Sequence, residues 1–254
     1  SYDVYAKVVV SATGAWADTL RMQASKQTEH SFHKQIRPSR GSHLVVSKER
    51  LPIEQAYTFL HPVDKRAVFV FPWENRTVLG TTDLDHPPLD DSEVGITNDE
   101  VDYLLAATND LFSDADLNRE DVISTWAGVR PLISEGGDGK RVSPSKEKRD
   151  HSVWLDNNLV TVSGGKLTTF RLIALDVLEK CQEVLALDKS VIQKQTLNDD
   201  HVFSDTAPTN PKFFTLPKAL QQRLQGFYGR QLDTLLELAH EDDLAYVTDS
   251  NTIW

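Results

Sequence analysis

The stretch Ser163-Gly164-Gly165-Lys166-Leu167-Thr168-Thr169-Phe170-Arg171 decides the reading of the fold, because it carries a strand through two glycines into the first turn of a helix. The approach is the apolar run Leu159 to Val162. The exit, with Phe170, Leu172, Ile173, Ala174, Leu175, Val177 and Leu178, has the apolar density and length of a mostly buried helix. Glycines remove the Cβ atoms that hold a ligand away from the backbone, and a helix N-terminus offers unpaired N–H groups with partial positive charge. Lys166 adds a full charge at that point. Glycine spacing alone favours an ordinary strand-to-helix turn with a solvated lysine.

Working outward, Gly128-Val129-Arg130-Pro131-Leu132 and Pro144-Ser145-Lys146-Glu147-Lys148-Arg149-Asp150-His151 precede this turn, so three basic elements converge on one region. Further upstream stand Val8-Val9-Val10-Ser11-Ala12-Thr13-Gly14-Ala15-Trp16-Ala17-Asp18 and Gly80-Thr81-Thr82-Asp83. In this order the strings closely resemble the FAD-dependent glycerol-3-phosphate dehydrogenases, from about Val8 to about Leu185. Within the wider amine- and hydroxy-acid-oxidising flavoproteins, only the Thr-Gly-x-Trp string and the Gly-Gly turn are commonly shared. The resemblance implies flavin-dependent oxidation of sn-glycerol 3-phosphate to dihydroxyacetone phosphate, with electrons passed to quinone by an enzyme peripheral on the cytoplasmic face of the cell membrane. A complete member of that family resembles a chain opening with a Gly-x-Gly-x-x-Gly unit. This sequence has none, so the reading expects a C-terminal-side fragment that alone holds no tight FAD and oxidises no substrate.

Composition sets outer bounds. With 254 residues, 39% apolar and 26% charged, the chain can bury a sizeable core. The single Cys181 excludes an internal disulfide and lies in an apolar helix, where a buried inert thiol is expected. No apolar run approaches the ~20 residues that span a bilayer, and no secretory signal is visible. A formal charge of −11 argues against general nucleic-acid binding. No spacing among the eight histidines suggests a metal.

The fold class expected is α+β, in four regions. Residues 1–27 end the first part of a flavin-binding, Rossmann-like domain, and 28–125 form an antiparallel-sheet substrate domain. Residues 126–190 return to the flavin domain, and 191–254 hold a linker and the start of a helical cap. In the second region, strand signals at Ser42–Val46, Ala56–Leu60, Ala67–Phe71 and Thr77–Gly80 are joined by turns at Asp64-Lys65-Arg66 and Glu74-Asn75-Arg76. A helix begins at Thr97, with Glu100 at capping-box spacing and Val101, Leu104, Leu105, Thr108, Leu111 and Phe112 on one side. After a polar linker, Asp199 to Pro211, amphipathic helices are expected over 217–228 and 231–240.

Oxidising a secondary alcohol on a phosphorylated triol needs a cationic phosphate pocket, a base at the hydroxyl and an electron acceptor. Arg130, its backbone restricted by Pro131, has a fork suited to phosphate or hydroxyl oxygens. The resemblance assigns it to the substrate, and with it Arg149 and Lys166. A buried structural pair for Arg130 and a salt bridge to Asp150 for Arg149 remain alternatives. His43, in Arg40-Gly41-Ser42-His43, matches the family histidine facing the flavin; with an ordinary pKa of ~6.5 it can take a proton at neutral pH. A half-exposed structural histidine is the bland alternative. Thr13 and Gly14 on one side, and Gly164, Gly165, Lys166, Leu167 and Thr168 on the other, are assigned to the cofactor. Thr82 and Asp83 match a family string that also reads as a strand ending in a turn. Two other functions stay open: a glycerol phosphate oxidase or other flavin oxidase of the superfamily, and a non-catalytic interaction module. The oligomeric state is not legible.

Overall fold

The computed structural model describes residues 3–25, 35–87, 89, 93–134, 150–186 and 208–244, which divide into two units, residues 1–192 and 193–254. The first unit is a mixed α+β structure of two sheets. Its larger sheet is built around β2 (Ile36–Ser47), whose length lets it pair three ways. On one edge it meets β5 (Arg76–Gly80) and the short β6 (Leu84–Asp85); on the other it meets β7 (Val122–Ile133) along almost its whole length. Beyond β5 lie β4 (Ala67–Trp73) and β3 (Tyr57–Leu60), all antiparallel. The two expected turns are present, with Lys65 and Glu74 in the left-handed region at φ 59° and 45°.

Strand alternation gives this sheet two different faces. Leu44, Val46, Val68, Val70 and Leu79 point to one face and are buried against Leu104, Leu105 and Ala107 of α2 (Asn98–Leu111). Each such side chain contributes roughly 1.5–3 kcal/mol of burial. The capping box at the start of α2 is formed as the sequence predicts: Thr97 Oγ1 accepts from the Glu100 N–H, and Glu100 Oε2 accepts from the Thr97 N–H. Leu111, expected on the buried side, is exposed in the last turn of the helix.

The smaller sheet has the order β1 (Val9–Ser11), β9 (Leu159–Gly164), β8 (His151–Asp156), with β1 parallel to β9 and β8 antiparallel to it. Segments far apart in sequence thus share one sheet. Asp18 of α1 (Ala17–Ser25) accepts from the N–H groups of Gln35 and Ile36, both at 2.8 Å, and so fixes the entry to β2. Arg21 bonds Asp156 at 2.8 Å and lies over the Trp154 ring.

α3 (Phe170–Leu185) departs from the expectation of a mostly buried helix. Only Val177 and Cys181 are buried, in one stripe packed with Val160, while Phe170, Leu172 and Leu178 are exposed. A helix resting on a narrow sheet buries one stripe, and apolar density alone does not distinguish that from burial all round.

The second unit is helical. α4 (Pro211–Thr215), α5 (Lys218–Tyr228) and α6 (Leu232–Leu238) enclose Phe213, Leu220, Leu224, Leu232 and Leu236. α5 and α6 fall within the expected spans. α4 was not expected, although Asn210 as N-cap and Pro211 at N1 are its sequence signal.

Candidate active site

His43 and Arg130 come together on the sheet face that α2 leaves uncovered. The β2–β7 register sets His43 opposite Trp126, Gly41 opposite Gly128 and Ser39 opposite Arg130. These alternate residues share one side, and β5 and β4 extend the His43 row through Gly80 to Phe69. The row therefore reads Phe69, Gly80, His43, Trp126 across four strands. The imidazole stacks on Trp126, with ring centroids 4.9 Å apart and planes 15° apart. On its other flank it overhangs Gly80, where a methyl group would fall 2.1 Å from His43 Cδ2. Burial first, and the Arg130 charge second, hold the imidazole below its ordinary 6.5, so the ring is neutral at pH 7. Nδ1 is shielded from solvent and has no hydrogen-bond partner among the described residues.

The Arg130 guanidinium folds back over Gly41, whose added Cβ would lie 2.1 Å from both terminal nitrogens. It donates to Thr81 Oγ1 at 2.8 Å and to the Thr82 carbonyl at 3.3 Å, and it stands 3.7 Å from the Asp83 carboxylate. Asp83 in turn accepts from the Ser39 hydroxyl, and Arg66 donates to its carbonyl at 2.5 Å. The string 80–83 is thus the frame of the arginine as well as a strand end.

Behind that frame sits Glu100, 2% exposed. Its carboxylate accepts from Ser42 Oγ at 2.8 Å, Thr82 Oγ1 at 2.7 Å and Thr97 Oγ1 at 2.9 Å, and pairs with Arg40 at 2.8 Å. Burial pushes Glu100 up, but the hydrogen bonds from Thr82, Thr97 and Ser42 outweigh it and hold the carboxyl below the usual range.

The residues assigned to the cofactor lie on the smaller sheet. Gly14, at φ 56°, begins a single 3-10 turn, Gly14–Trp16, that contacts β7 and β9; a Cβ there would meet nothing within 4 Å among the described residues. Ser163 Oγ donates to the Gly14 carbonyl at 2.9 Å, and Ser11 and Thr13 hydroxyls are 3.1 Å apart. Gly164 and Gly165 both have φ 80°, and their added Cβ atoms would strike the Asp150 carbonyl at 2.6 Å and Ile173 at 2.7 Å. Those two glycines are therefore set by backbone conformation and protein packing, and Gly14 is the one that leaves room for a ligand. Lys166 does not begin α3 directly: it is an extended residue before a 3-10 turn, Leu167–Thr169. Lys166, Leu167 and Thr168 are all exposed, Leu167 at 89%. Ile133, three residues after Arg130, packs beside Gly164, so β7 links the two groups of residues. His151 fixes the start of β8 by a 2.7 Å bond to Asp176 of α3. Arg149 lies outside the described residues.

Sequence reading missed Trp126, Gly41, Gly80 and Glu100 as parts of this site. The signal for Trp126 was present: Trp126, Gly128 and Arg130 alternate, so a strand there puts all three on one face. Glu100 gave no such signal beyond its cap.

The chain is similar to known proteins. Residues 2–175 match the family described as DAO, FAD dependent oxidoreductase. The chain is 38% identical over 179 residues to an aerobic glycerol-3-phosphate dehydrogenase of Staphylococcus haemolyticus, covering 70% of this chain and 30% of that protein. For a protein of the same description from Bacillus subtilis the figures are 36% over 192 residues, 72% and 32%. For one from Staphylococcus saprophyticus they are 30% over 254 residues, 94% and 44%. The crystal structure of glycerol-3-phosphate dehydrogenase from Bacillus halodurans, complexed with FAD, aligns with a TM-score of 0.61 and 35% identity, over 74% of this chain and 34% of that one. The chain thus spans between 30% and 44% of the length of these three relatives.

Proposed function

We propose, from the premise that the chain belongs to the FAD-dependent oxidoreductase family, that its uncovered sheet face binds glycerol 3-phosphate and takes part in its oxidation to dihydroxyacetone phosphate. The observation that carries this reading is the pairing on one face of a neutral, half-buried His43 with the Arg130 guanidinium. A base and a fixed cation are what a phosphorylated secondary alcohol requires.

The residues present fit FAD. Gly14 leaves open space at a left-handed turn, and the exposed Lys166-Leu167-Thr168 turn presents a cation. Thr13 and Gly14 would hold one part of the cofactor and Gly164 to Thr168 another. When bound, FAD supplies the acceptor for the hydride leaving the secondary carbon. Lys166 then offers positive charge where negative charge develops. Arg130, pinned by Thr81 and Thr82, orients the substrate oxygens. His43 takes the hydroxyl proton, and we assign it to Nε2, because Nδ1 is shielded from solvent. Arg149 joins the substrate phosphate in this reading.

Quinone as the final acceptor, and a peripheral seat on the inner face of the cell membrane, complete the proposal. Among the described residues no helix is long and apolar enough to cross a membrane. The test is flavin bleaching by glycerol 3-phosphate in a flavin-loaded preparation carrying His43→Asn, where the rate should fall by ~10²–10⁴. An unchanged rate would remove His43 from the reaction. Oxygen uptake during turnover, in place of quinone reduction, would make the activity an oxidase.

A further inference from the structure

We propose that Gly128 is the gauge of the substrate cavity, a residue kept without a side chain so that a small unbranched phosphorylated polyol can lie between Trp126 and Arg130. The inference rests on the reading of His43 and Arg130 given above and adds a residue to it. Gly41 and Gly128 face each other across β2 and β7, with His43 and Trp126 in the next row on one side and Ser39 and Arg130 on the other. The pair puts no side chain of its own between the imidazole row and the arginine row.

The two glycines differ in what lies over them. Over Gly41 the space is taken by the Arg130 guanidinium itself. Over Gly128 an added Cβ would meet nothing within 4 Å, and the residue is exposed. Its φ lies outside the left-handed region, so an L side chain would fit the backbone without strain. A glycine inside a strand has a larger entropy to lose on folding and nothing to pack. Among the described residues neither conformation nor packing requires this one, and the volume left open above it lies between the row of the indole that stacks on His43 and the row of the site's arginine. That volume is the place for the carbon chain of the substrate, with its phosphate or hydroxyl oxygens toward Arg130 and its secondary hydroxyl toward His43.

The test compares Gly128→Ala and Gly128→Val with Arg130→Lys in a flavin-loaded preparation, reading KM for glycerol 3-phosphate, inhibition by inorganic phosphate, and Tm. A single methyl group in a closely fitted pocket changes discrimination about tenfold or more. Gly128→Ala should therefore raise KM for glycerol 3-phosphate by about tenfold or more, and Gly128→Val should raise it further. Inorganic phosphate, which lacks the carbon chain, should inhibit Gly128→Ala as it does the parent, and the Tm of Gly128→Ala should be equal or higher. An unchanged KM would overturn the inference, as would a fall in Tm, which would show that the protein itself needs the glycine. If Arg130→Lys also leaves KM and phosphate inhibition unchanged, the reading of the whole site fails; if only the Gly128 variants are silent, the gauge alone fails.

Discussion

Replacing Glu100 with alanine should cost about 3–5 kcal/mol of stability, the range for removing one partner of a buried ion pair. The figure follows from what the carboxylate holds. Arg40 would keep a charge buried to 15% side-chain exposure without its 2.8 Å partner, and the Ser42 and Thr82 hydroxyls would lose acceptors at 2.8 and 2.7 Å. The capping box at Thr97, worth about 1 kcal/mol by itself, would go as well. Against a usual total of ~5–15 kcal/mol, that is a large share. Glu100→Gln keeps the shape and one acceptor oxygen but turns an amide toward one set of donors, so it should cost about 2 kcal/mol. Urea unfolding followed by tryptophan fluorescence gives both values from the shift in midpoint at unchanged slope. The acid limb supplies a second readout. A carboxyl held below its ordinary 4.5 contributes stability that is fully present above that pH and is lost as pH falls through the folded value. Glu100→Gln should flatten that part of the curve. A loss of about 1 kcal/mol or less in the alanine variant, the size of a helix cap alone, would refute the idea that this carboxylate ties α2 to the site.

Arg130→Lys should weaken catalysis by ~1–3 kcal/mol, because a point charge cannot reproduce two bonds from one planar fork; normal turnover per flavin with reduced FAD content would make Arg130 structural. Gly80→Ala should cost about 1–3 kcal/mol by overpacking and displace the His43 ring, visible as a shifted imidazole resonance; an unshifted resonance would show that the ring stays in place and that Gly80 does not seat it. His43 should titrate below 6.5 by NMR, and its folded-state contribution to stability should be present above pH 6.5 and diminish as pH falls below it. Trp126→Ala, by opening the ring to water, should move that titration back toward 6.5, and an unchanged value would mean the burial comes from elsewhere.

Local features of this fold were legible because their causes are local. Thr97 and Glu100 are three residues apart and form the capping box their spacing announces. The turns at Lys65 and Glu74 sit where polar clusters interrupt apolar runs, and His43 and Arg130 were chosen from short strings and meet on one face. What was not legible depends on register. Glu100 reaches Ser42 and Thr82, 58 and 18 residues away, and nothing in a one-dimensional pattern says that a cap residue will also brace an arginine's frame. The roles of Gly41, Gly80 and Gly128 appear only once β2 is aligned between β5 and β7, since a slip of one residue would send each to the other face. The exposure of α3 was missed for a different reason: apolar content measures the tendency to be buried, while the width of the sheet beneath decides how much of it is.

In the proposed reading the two faces of the six-stranded sheet divide stability from chemistry. The α2 face carries fully buried aliphatic side chains and a saturated carboxylate, so substitutions there act on folding first. The opposite face carries an exposed indole, an exposed Phe69, an imidazole with an unmet nitrogen and glycines where side chains would otherwise pack. Such a face is poor as a core. Trp126 is 45% exposed in spite of its size, and His43 gives up favourable hydration of its charged form. Both arrangements lower stability relative to a packed aliphatic layer, and under the proposed function a ligand above them would offset that loss. Glu100 is the point where the faces communicate, because one oxygen bonds Thr82 while the carbonyl of that same residue accepts from Arg130. A variant that damages catalysis without changing Tm should therefore map to the open face, and one that lowers both should map to Glu100 or its donors. A catalytic defect of pure kcat type arising among the aliphatic residues under α2 would contradict this division.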